Sequence, residues 1–599
     1  MRKIFTLLCV VLTTIFSAQA DNATFGWSLS GGGATGADRS ADVVTDANGN
    51  VFTANYFLNA AAFNGVSLTG SAKGTGSNYD NSLFISKISP AKATLWTLYS
   101  NVGVVTPTAL ATTPNGDLIV TGTIRPVVGG ATTNANIIDA AGTVTTFSSL
   151  LSSTSINQSF VAKFNSNGII QWVQELNSGA AKDKLVTTSA LAADASGDIY
   201  LTGVFTNSVI LPAVTPVTLT SSNTTQAAFI TKLNGTTGNE IWYKTSTGGI
   251  VSEIFPALAY GDDGYLYAAG DLKNATTPIS ITIGDKTFAP SLGADLALIR
   301  FATDGTISYI QERSCVVSAT ARDIRVKDLA VKNGKVFVAG SFYGIDGGIH
   351  FSNENMGSTT ASLNGFVAAF NALDGADVWH KAILSPSIAE VYGLALGIDG
   401  NLFAFGTHYN KLGTAAAGDV VFGDGFKLTD AANNLGDLFL SSYNVLTGVT
   451  QEVHLVGKGT GSETANSLAS FGSNLYLLGT YNSAPITFEN TKTSTTTGAF
   501  DFFLANYTVI NPSTGVISSE ASKLPFSYSD HANSLIVVKN AANVRNARII
   551  DTIGRCIKTA SNSNNDVLNI NAQGIAAGVY ILQLTTSSSQ TISQRLIIQ

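Results

Sequence analysis

The chain has 599 residues, of which 45% are hydrophobic and only 12% charged, with 58 glycines and a net charge of −7. That charged share is about half the usual one and, beside abundant Gly, Ser, Thr and Asn, it suits many short strands and tight turns, not a helical enzyme rich in Lys and Glu. The acidic balance repels phosphate backbones and so excludes nucleic acid as a natural partner, and three cysteines exclude a disulfide framework.

The N-terminus reads Met1-Arg2-Lys3, then an apolar run from Ile4 to Phe16, then Ser17-Ala18-Gln19-Ala20. A positive start, a short apolar stretch and an A-x-A ending make residues 1–20 a secretory signal peptide. The run is shorter than the roughly 18 apolar residues of a membrane span. Cys9 lacks the small preceding residue that a lipoprotein site needs. Loss of Arg2 and Lys3 with the leader takes the net charge to −9 and leaves two cysteines, Cys315 and Cys556.

After "TFGWSLSGGG" at 24–33, one phrase recurs seven times at spacings of 66 to 81 residues. It reads "DANGNVFTAN" (46–55), "TPNGDLIVTG" (113–122), "DASGDIYLTG" (194–203), "GDDGYLYAAG" (261–270), "VKNGKVFVAG" (331–340), "GIDGNLFAFG" (397–406) and "SFGSNLYLLG" (470–479). An Asx/Gly turn followed by alternating apolar residues predicts a hairpin entering a half-buried strand. The phrase closes on Gly122, Gly203, Gly270, Gly340, Gly406 and Gly479, with Asn55 in the first copy. Glycine and asparagine best tolerate a left-handed backbone, so these closing positions are expected to answer a turn requirement.

A second phrase follows each copy, as in "SFVAKFNSNGIIQW" (159–172), "AFITKLNGTTGNEIW" (228–242), "DLALIRFATDGTISY" (295–309) and "GFVAAFNALDGADVW" (365–379). It reads strand, turn, strand. Trp96, Trp172, Trp242 and Trp379 close it, with Tyr309 in the fourth copy. Between the two phrases, "ITIGDKTF" (281–288), "VVFGDGFKL" (420–428) and "ITFENTKT" (486–493) predict an extra hairpin projecting from each unit.

Four strands repeated seven times predict an all-β chain with a seven-bladed β-propeller over 21–510. A β-sandwich also uses short strands but does not repeat one register seven times. The remaining tryptophan, Trp27, stands 23 residues ahead of Asn50, as Trp242 stands 23 ahead of Tyr265. It therefore belongs to an N-terminal strand completing the last copy (462–509), which closes the ring and removes an open sheet edge. The alternative closing strand is "VISSEA" at 516–521, which has no aromatic residue.

The combination of D-x-x-G-N-h-Y-h-T-G, D-x-F-h-A-K-h and G-x-x-x-W resembles the SBBP-type seven-bladed propeller repeats of secreted bacterial proteins, over about 23–510. The G-x-x-x-W ending also looks like quinoprotein propellers, a resemblance that implies pyrroloquinoline quinone. Seven units in place of eight, and the lack of a vicinal cysteine pair, speak against that cofactor, and none is expected.

Residues 511–523 read as a linker, and 524–599 break the period with the short apolar segments "LIVVKN", "ARIIDTIGRCIKTA", "LNINAQGIAAGVYILQLTT" and "SQRLIIQ". These predict a small C-terminal β-sandwich. An apolar run before Asp551-x-x-Gly554-Arg555, then Gly578-Val579-Tyr580, then Arg595 in a last apolar strand, resembles the type A C-terminal sorting domain of the type IX secretion system. Cys556, where an aliphatic residue is usual, and "FSYSDHANSL" without proline-asparagine-proline depart from the pattern. The resemblance implies Sec export, passage through the outer membrane by the type IX machinery, removal of the tail, and release or attachment at the cell surface.

Residues with catalytic character are sparse. His350, His380, His408, His454 and His531 make no metal-ligand spacing, and His380, beside Trp379, is expected to be solvated. There is no G-x-S-x-G or P-loop. The turn acids Asp46, Asp194, Asp263, Asp304, Asp374 and Asp399 sit where Asp caps a tight turn; calcium would need a denser D-x-D-x-D set. Asp295, Asp437 and Asp501 each stand six residues before the aromatic residue of a third strand. A ring could gather them to hold a cation, but the other copies carry Asn364, Gln158, Ala227 and Ser82, which favours strand-start hydrogen bonding. The expected role is non-enzymatic binding or scaffolding through Ser/Thr/Asn/Gly-rich loops and projecting hairpins, with a glycan or a protein as ligand. The alternative is a carbohydrate-active hydrolase or lyase.

Overall fold

The computed structural model describes residues 24–598 except 34–35, 72–80, 128–133, 148–155, 180–181, 222–225, 248–254, 275–280, 289–292, 315–323, 344–347, 353–354, 358–361, 410–417, 430–434, 458–460, 483–484, 489–490, 494–499, 510–525, 531–534, 540, 552–554, 564 and 587–590. The expected leader 1–20, the expected linker 511–523 with its alternative strand 516–521, Cys315, His531 and Gly554 lie outside the described residues. Regular structure among the described residues is strand, apart from one 3-10 turn at Ala541–Asn543. Two compact units divide between Asn511 and Pro512.

In the first unit the repeat folds as a four-stranded antiparallel sheet in chain order. Val104–Thr112, Leu118–Arg125, Gln158–Phe164 and Ile170–Leu176 are one example. The same pattern starts at Arg39–Thr45, Val186–Ala193, Ala257–Tyr260, Ile324–Lys332 and Ile388–Leu396. The last repeat supplies three strands, Glu463–Phe471, Asn474–Tyr481 and Asp501–Thr508. Its fourth is the N-terminal Thr24–Gly32, which pairs with Asp501–Thr508 so that Trp27 stands opposite Asn506 and Leu29 opposite Leu504.

Each sheet buries an apolar cluster against the next. Phe52, Leu83 and Ile85 of the first repeat pack with Val105, Leu118 and Phe160 of the second. Trp27, Tyr476 and Phe502 of the last pack with Val51, Phe57 and Phe84 of the first. Hydrogen bonds follow the same order: Leu110 N–H donates to Asp42 Oδ2 (2.8 Å), Leu394 N–H to Asp328 Oδ2 (2.7 Å), and Ser467 Oγ to Asp42 Oδ1 (2.7 Å).

Two sequence expectations need correction. The closing glycines are not turn residues. Gly122, Gly203, Gly340, Gly406 and Gly479 lie inside second strands, opposite a β-bulge in the first strand, and Gly270 also lies within a strand. A Cβ at Gly122 would strike the Thr106 carbonyl oxygen and crowd the Phe160 ring; at Gly406 it would strike the Glu390 carbonyl and Phe439. Close approach, not backbone sign, excludes a side chain there. The left-handed turn positions come earlier in each phrase, at Gly49, Gly116, Gly197, Gly264, Gly334, Gly400 and Gly472, with φ between 56° and 83°.

The extra hairpins exist but do not project. Several fold back onto the outer strand of the preceding sheet. Phe63 pairs with Gly31, Ile138 with Tyr99, Ile283 with Ser246, and Val421 bridges to Leu384. Part of the free edge of these outer strands is thereby covered.

In the second unit, Phe526–Asp530, Leu535–Lys539 and Val567–Asn571 form one sheet; Cys556–Ser561, Val544–Asp551, Gly578–Thr586 and Thr591–Ile598 form another. Both contribute to one core of Ile536, Val538, Ile549, Leu568, Leu582 and Leu596.

Candidate functional site

The turns between first and second strands are built as expected. Asp46 Oδ1 accepts the N–H groups of Asn48 and Asn50, and Asp194 Oδ1 those of Ser196 and Asp198 (all 2.9 Å). Asp399 caps Asn401 (3.1 Å) and Asp263 caps Tyr265 (3.3 Å) in the same way. Asp304 and Asp374 cap turns between third and fourth strands. The sequence pattern did not reveal the basic partners. Lys87 reaches Asp46 (3.1 Å), Lys163 reaches Asp117 (3.1 Å), Lys232 reaches Asp194 and Asp198 (3.0 and 3.1 Å), and Arg300 reaches Asp263 (3.1 Å). Each basic residue is the Lys or Arg of the third strand, visible in "FVAKF" but mute about where it points.

The tryptophans tie one repeat to the next. The indole N–H of Trp96 donates to the Ser166 carbonyl (3.0 Å), Trp172 to Gly235 (3.3 Å), Trp242 to Thr303 (2.9 Å) and Trp379 to Val445 (3.1 Å). Each ring covers a turn glycine of the following repeat, Gly168, Gly238, Gly305 or Gly448, where a Cβ would meet the indole. Trp27 meets the first repeat instead: Lys92, at φ 67°, holds its Nζ 5.7 Å from the indole. The sixth repeat carries Glu452 in the tryptophan position. The seventh sheet takes its fourth strand from the N-terminus, so it offers no hairpin turn for an indole to cover.

Asp295, Asp437 and Asp501 are buried, each in a different sheet, and the structure does not bring them together. Among the described residues no three His, Cys, Asp or Glu side chains stand so as to hold a metal ion. The equivalent positions bond to backbone: Ser82 Oγ accepts the Ser71 N–H, Gln158 Oε1 that of Ser178, and Asn364 Oδ1 that of Ser385. Asp501 faces Asp38, whose pKa burial pushes up to about 7 with the Asp501 charge adding to the rise. Burial and Asp295 likewise raise Glu312. Asp328, half-buried on a first strand, has its pKa pushed up to about 7 by desolvation, with a contribution from the charge of Asp42. The oxygens of Asp42 and Asp328 are occupied by backbone and serine donors, a poor arrangement for a cation. His380 is partly exposed, with its ring stacked on Phe351 at 4.1 Å.

A concavity opens on the face of the first-to-second-strand turns. It has about 580 Å³ and is walled by turns of five successive repeats, from Ala47 through Pro114, Ala195 and Asp262 to Lys332. Tyr260 lies in its wall, with its ring stacked on Tyr200 (5.9 Å, 14°). Burial raises the pKa of Tyr260, so its hydroxyl stays protonated at neutral pH.

In the C-terminal unit the sorting marks form one region. Asp551 Oδ1 accepts the Arg555 N–H and Oδ2 the Arg555 Nε–H (both 2.8 Å). Asp551 pairs with Tyr580, which pairs with Leu596 on its other side; Arg595 pairs with Ile581, and Gly578 starts the same strand. Tyr580 is buried and its hydroxyl donates to the Ala576 carbonyl (2.8 Å).

Residues 531–599 match the family of the secretion system C-terminal sorting domain. The protein is accordingly exported by the type IX system, and is secreted or held at the cell surface. Among the described residues no helix is long and apolar enough to cross a membrane. No curated protein matches the chain. Similar solved structures include a quinohemoprotein alcohol dehydrogenase from Comamonas testosteroni, 11% identical over 87% of this chain and 81% of that one, with a TM-score of 0.34. A periplasmic gluconolactonase from Pseudomonas aeruginosa is 11% identical over 69% and 94%, with a TM-score of 0.31. The WD40 β-propeller domain of Doa1 is 9% identical over 59% and 88%, with a TM-score of 0.22. The fold is all-β and propeller-like; likenesses this distant carry nothing about binding or chemistry.

Proposed function

We propose that residues 21–510 form a seven-bladed β-propeller of SBBP type, closed by Thr24–Gly32, that acts as a non-enzymatic binding module outside the cell. The signal peptide 1–20 and the sorting domain 524–599 deliver it, with the type IX machinery as its partner. Ring closure draws support from Trp27 pairing opposite Asn506 and from the apolar cluster shared by the last and first repeats. The observation that carries the binding reading is the cavity of about 580 Å³ on the turn face. Turns from five repeats converge there, whereas the turn acids Asp46, Asp194 and Asp263 are engaged with backbone N–H groups and with Lys87, Lys232 and Arg300. The projecting hairpins anticipated as binding arms are spent on covering outer edges, which leaves the turn face as the better binding surface. Loop-built concavities on a rigid scaffold are where such folds bind ligands.

A glycan array run on the full chain beside a reducing-sugar release assay tests this. Saturable binding without release of reducing ends is expected. Turnover of a bound glycan would transfer the protein to the alternative class, a carbohydrate-active hydrolase or lyase.

A further inference from the structure

We infer that the turn-face cavity is a site for a neutral oligosaccharide, with Tyr260 as its stacking platform and the Asp262–Lys332 pair as its hydrogen-bonding rim. The inference rests on the binding reading above and names the ligand class for that same cavity. The site is an open concavity of about 580 Å³, a volume comparable with the ~300–1,000 Å³ of small-ligand sites.

Tyr260 is half-buried against a second aromatic ring. Its ring stacks on Tyr200, whose hydroxyl donates to Asp194 Oδ2 (3.2 Å) and whose face carries the Lys232 ammonium at 5.2 Å. An aromatic face with a polar tip suits a pyranose, which offers a plane of C–H groups ringed by hydroxyls. At the rim, Lys332 Nζ lies 3.2 Å from Asp262 Oδ2, and both side chains are about half exposed (51% and 44%). Such a pair supplies donors and an acceptor with no net charge. A hydroxyl can use both; an anionic ligand would have to meet Asp262 on a chain whose net charge is already −7.

The rest of the wall decides against other ligands. Ala47, Pro114 and Ala195 are small, so a flat polar ring can approach the backbone, and among the described lining residues Val331 is the one branched aliphatic side chain, a poor wall for a lipid tail or apolar peptide anchor.

The test uses the purified full chain and its Tyr260→Ala, Tyr260→Phe, Lys332→Ala and Asp262→Asn variants, each checked by its melting midpoint. Arrays of neutral glycans, acidic glycans and peptides are the probes. Wild type should bind neutral glycans, Tyr260→Ala should weaken that binding about tenfold, and Tyr260→Phe should retain it. The two rim variants, which leave the stack intact, should each weaken it severalfold. Neutral-glycan binding that all four variants retain would overturn the cavity assignment while leaving the binding reading in place. Binding confined to acidic glycans or peptides would overturn the ligand class. Absence of binding on every array would overturn both.

Discussion

Trp27 is where the ring reading can be broken by one substitution. Its side chain is 8% exposed, beside Tyr476 at 6.1 Å between ring centroids and under the Lys92 ammonium. Truncating a buried tryptophan costs about 3–5 kcal/mol through lost transfer energy and the cavity left behind. Globular proteins unfold with an entropy of roughly 2.1 cal/mol/K per residue, so a cooperative unit of this length has about 1 kcal/mol/K. Trp27→Ala should therefore lower the melting midpoint by about 3–5 °C. Trp242 is only half-buried, although its ring stacks on Phe301, and Trp242→Ala should cost no more than Trp27→Ala. Calorimetry on both variants decides the matter. A Trp27→Ala protein that melts like wild type would mean that the N-terminal strand is not part of the last sheet, and the reasoning would fail.

Other perturbations separate the forces at work. Gly406→Ala should destabilise by about 1–3 kcal/mol in urea because its Cβ meets the Glu390 carbonyl and the Phe439 ring; Gly400→Ala, with open space but φ 80°, should cost about 1 kcal/mol. Asp46→Ala should cost about 3–5 kcal/mol, because it removes the carboxylate paired with the buried Lys87 ammonium, whereas Lys427→Ala at the exposed pair with Asp419 should leave the melting midpoint nearly unchanged. The raised carboxyls set the pH dependence. Asp38 and Asp328 sit near 7 in the folded chain against 3.8 ordinarily, so their contribution is complete below about pH 4 and is lost as pH rises through 7. The melting midpoint should be higher at pH 5 than at pH 8, and Asp38→Asn should reduce the difference. Acids held below the usual range, such as Asp46 and Asp377, titrate beneath this window; a midpoint that rises from pH 5 to pH 8 would contradict the assignment.

The repeat was legible because each turn announces itself locally. An Asp two residues before the N–H it caps, and a glycine with φ near 80°, need only neighbours in sequence. The strand of Trp27 was legible for a different reason: every other copy of the fourth strand carries its aromatic, or a stated replacement, at one register. Non-local partners were not. Nothing in "FVAKF" tells that Lys163 reaches Asp117, and nothing in "TIRPVV" tells that the Ala135–Ile138 hairpin will turn back to Tyr99. The glycines that end each phrase were misread because a close approach and a turn both demand glycine, and only the bulge opposite distinguishes them. The cavity was illegible since its wall comes from five repeats, each contributing an ordinary turn.

The most direct test of the account is to express the chain without residues 524–599 and follow it by cell fractionation and calorimetry. The account predicts a truncated protein that keeps the melting transition of the repeat unit but accumulates in the periplasm, since the sheets of 24–509 hold their own cores while the sorting family match lies wholly in the deleted part. Appearance of the truncated protein in the medium or on the cell surface at the level of the full chain would contradict it, as would loss of the repeat unit's own transition.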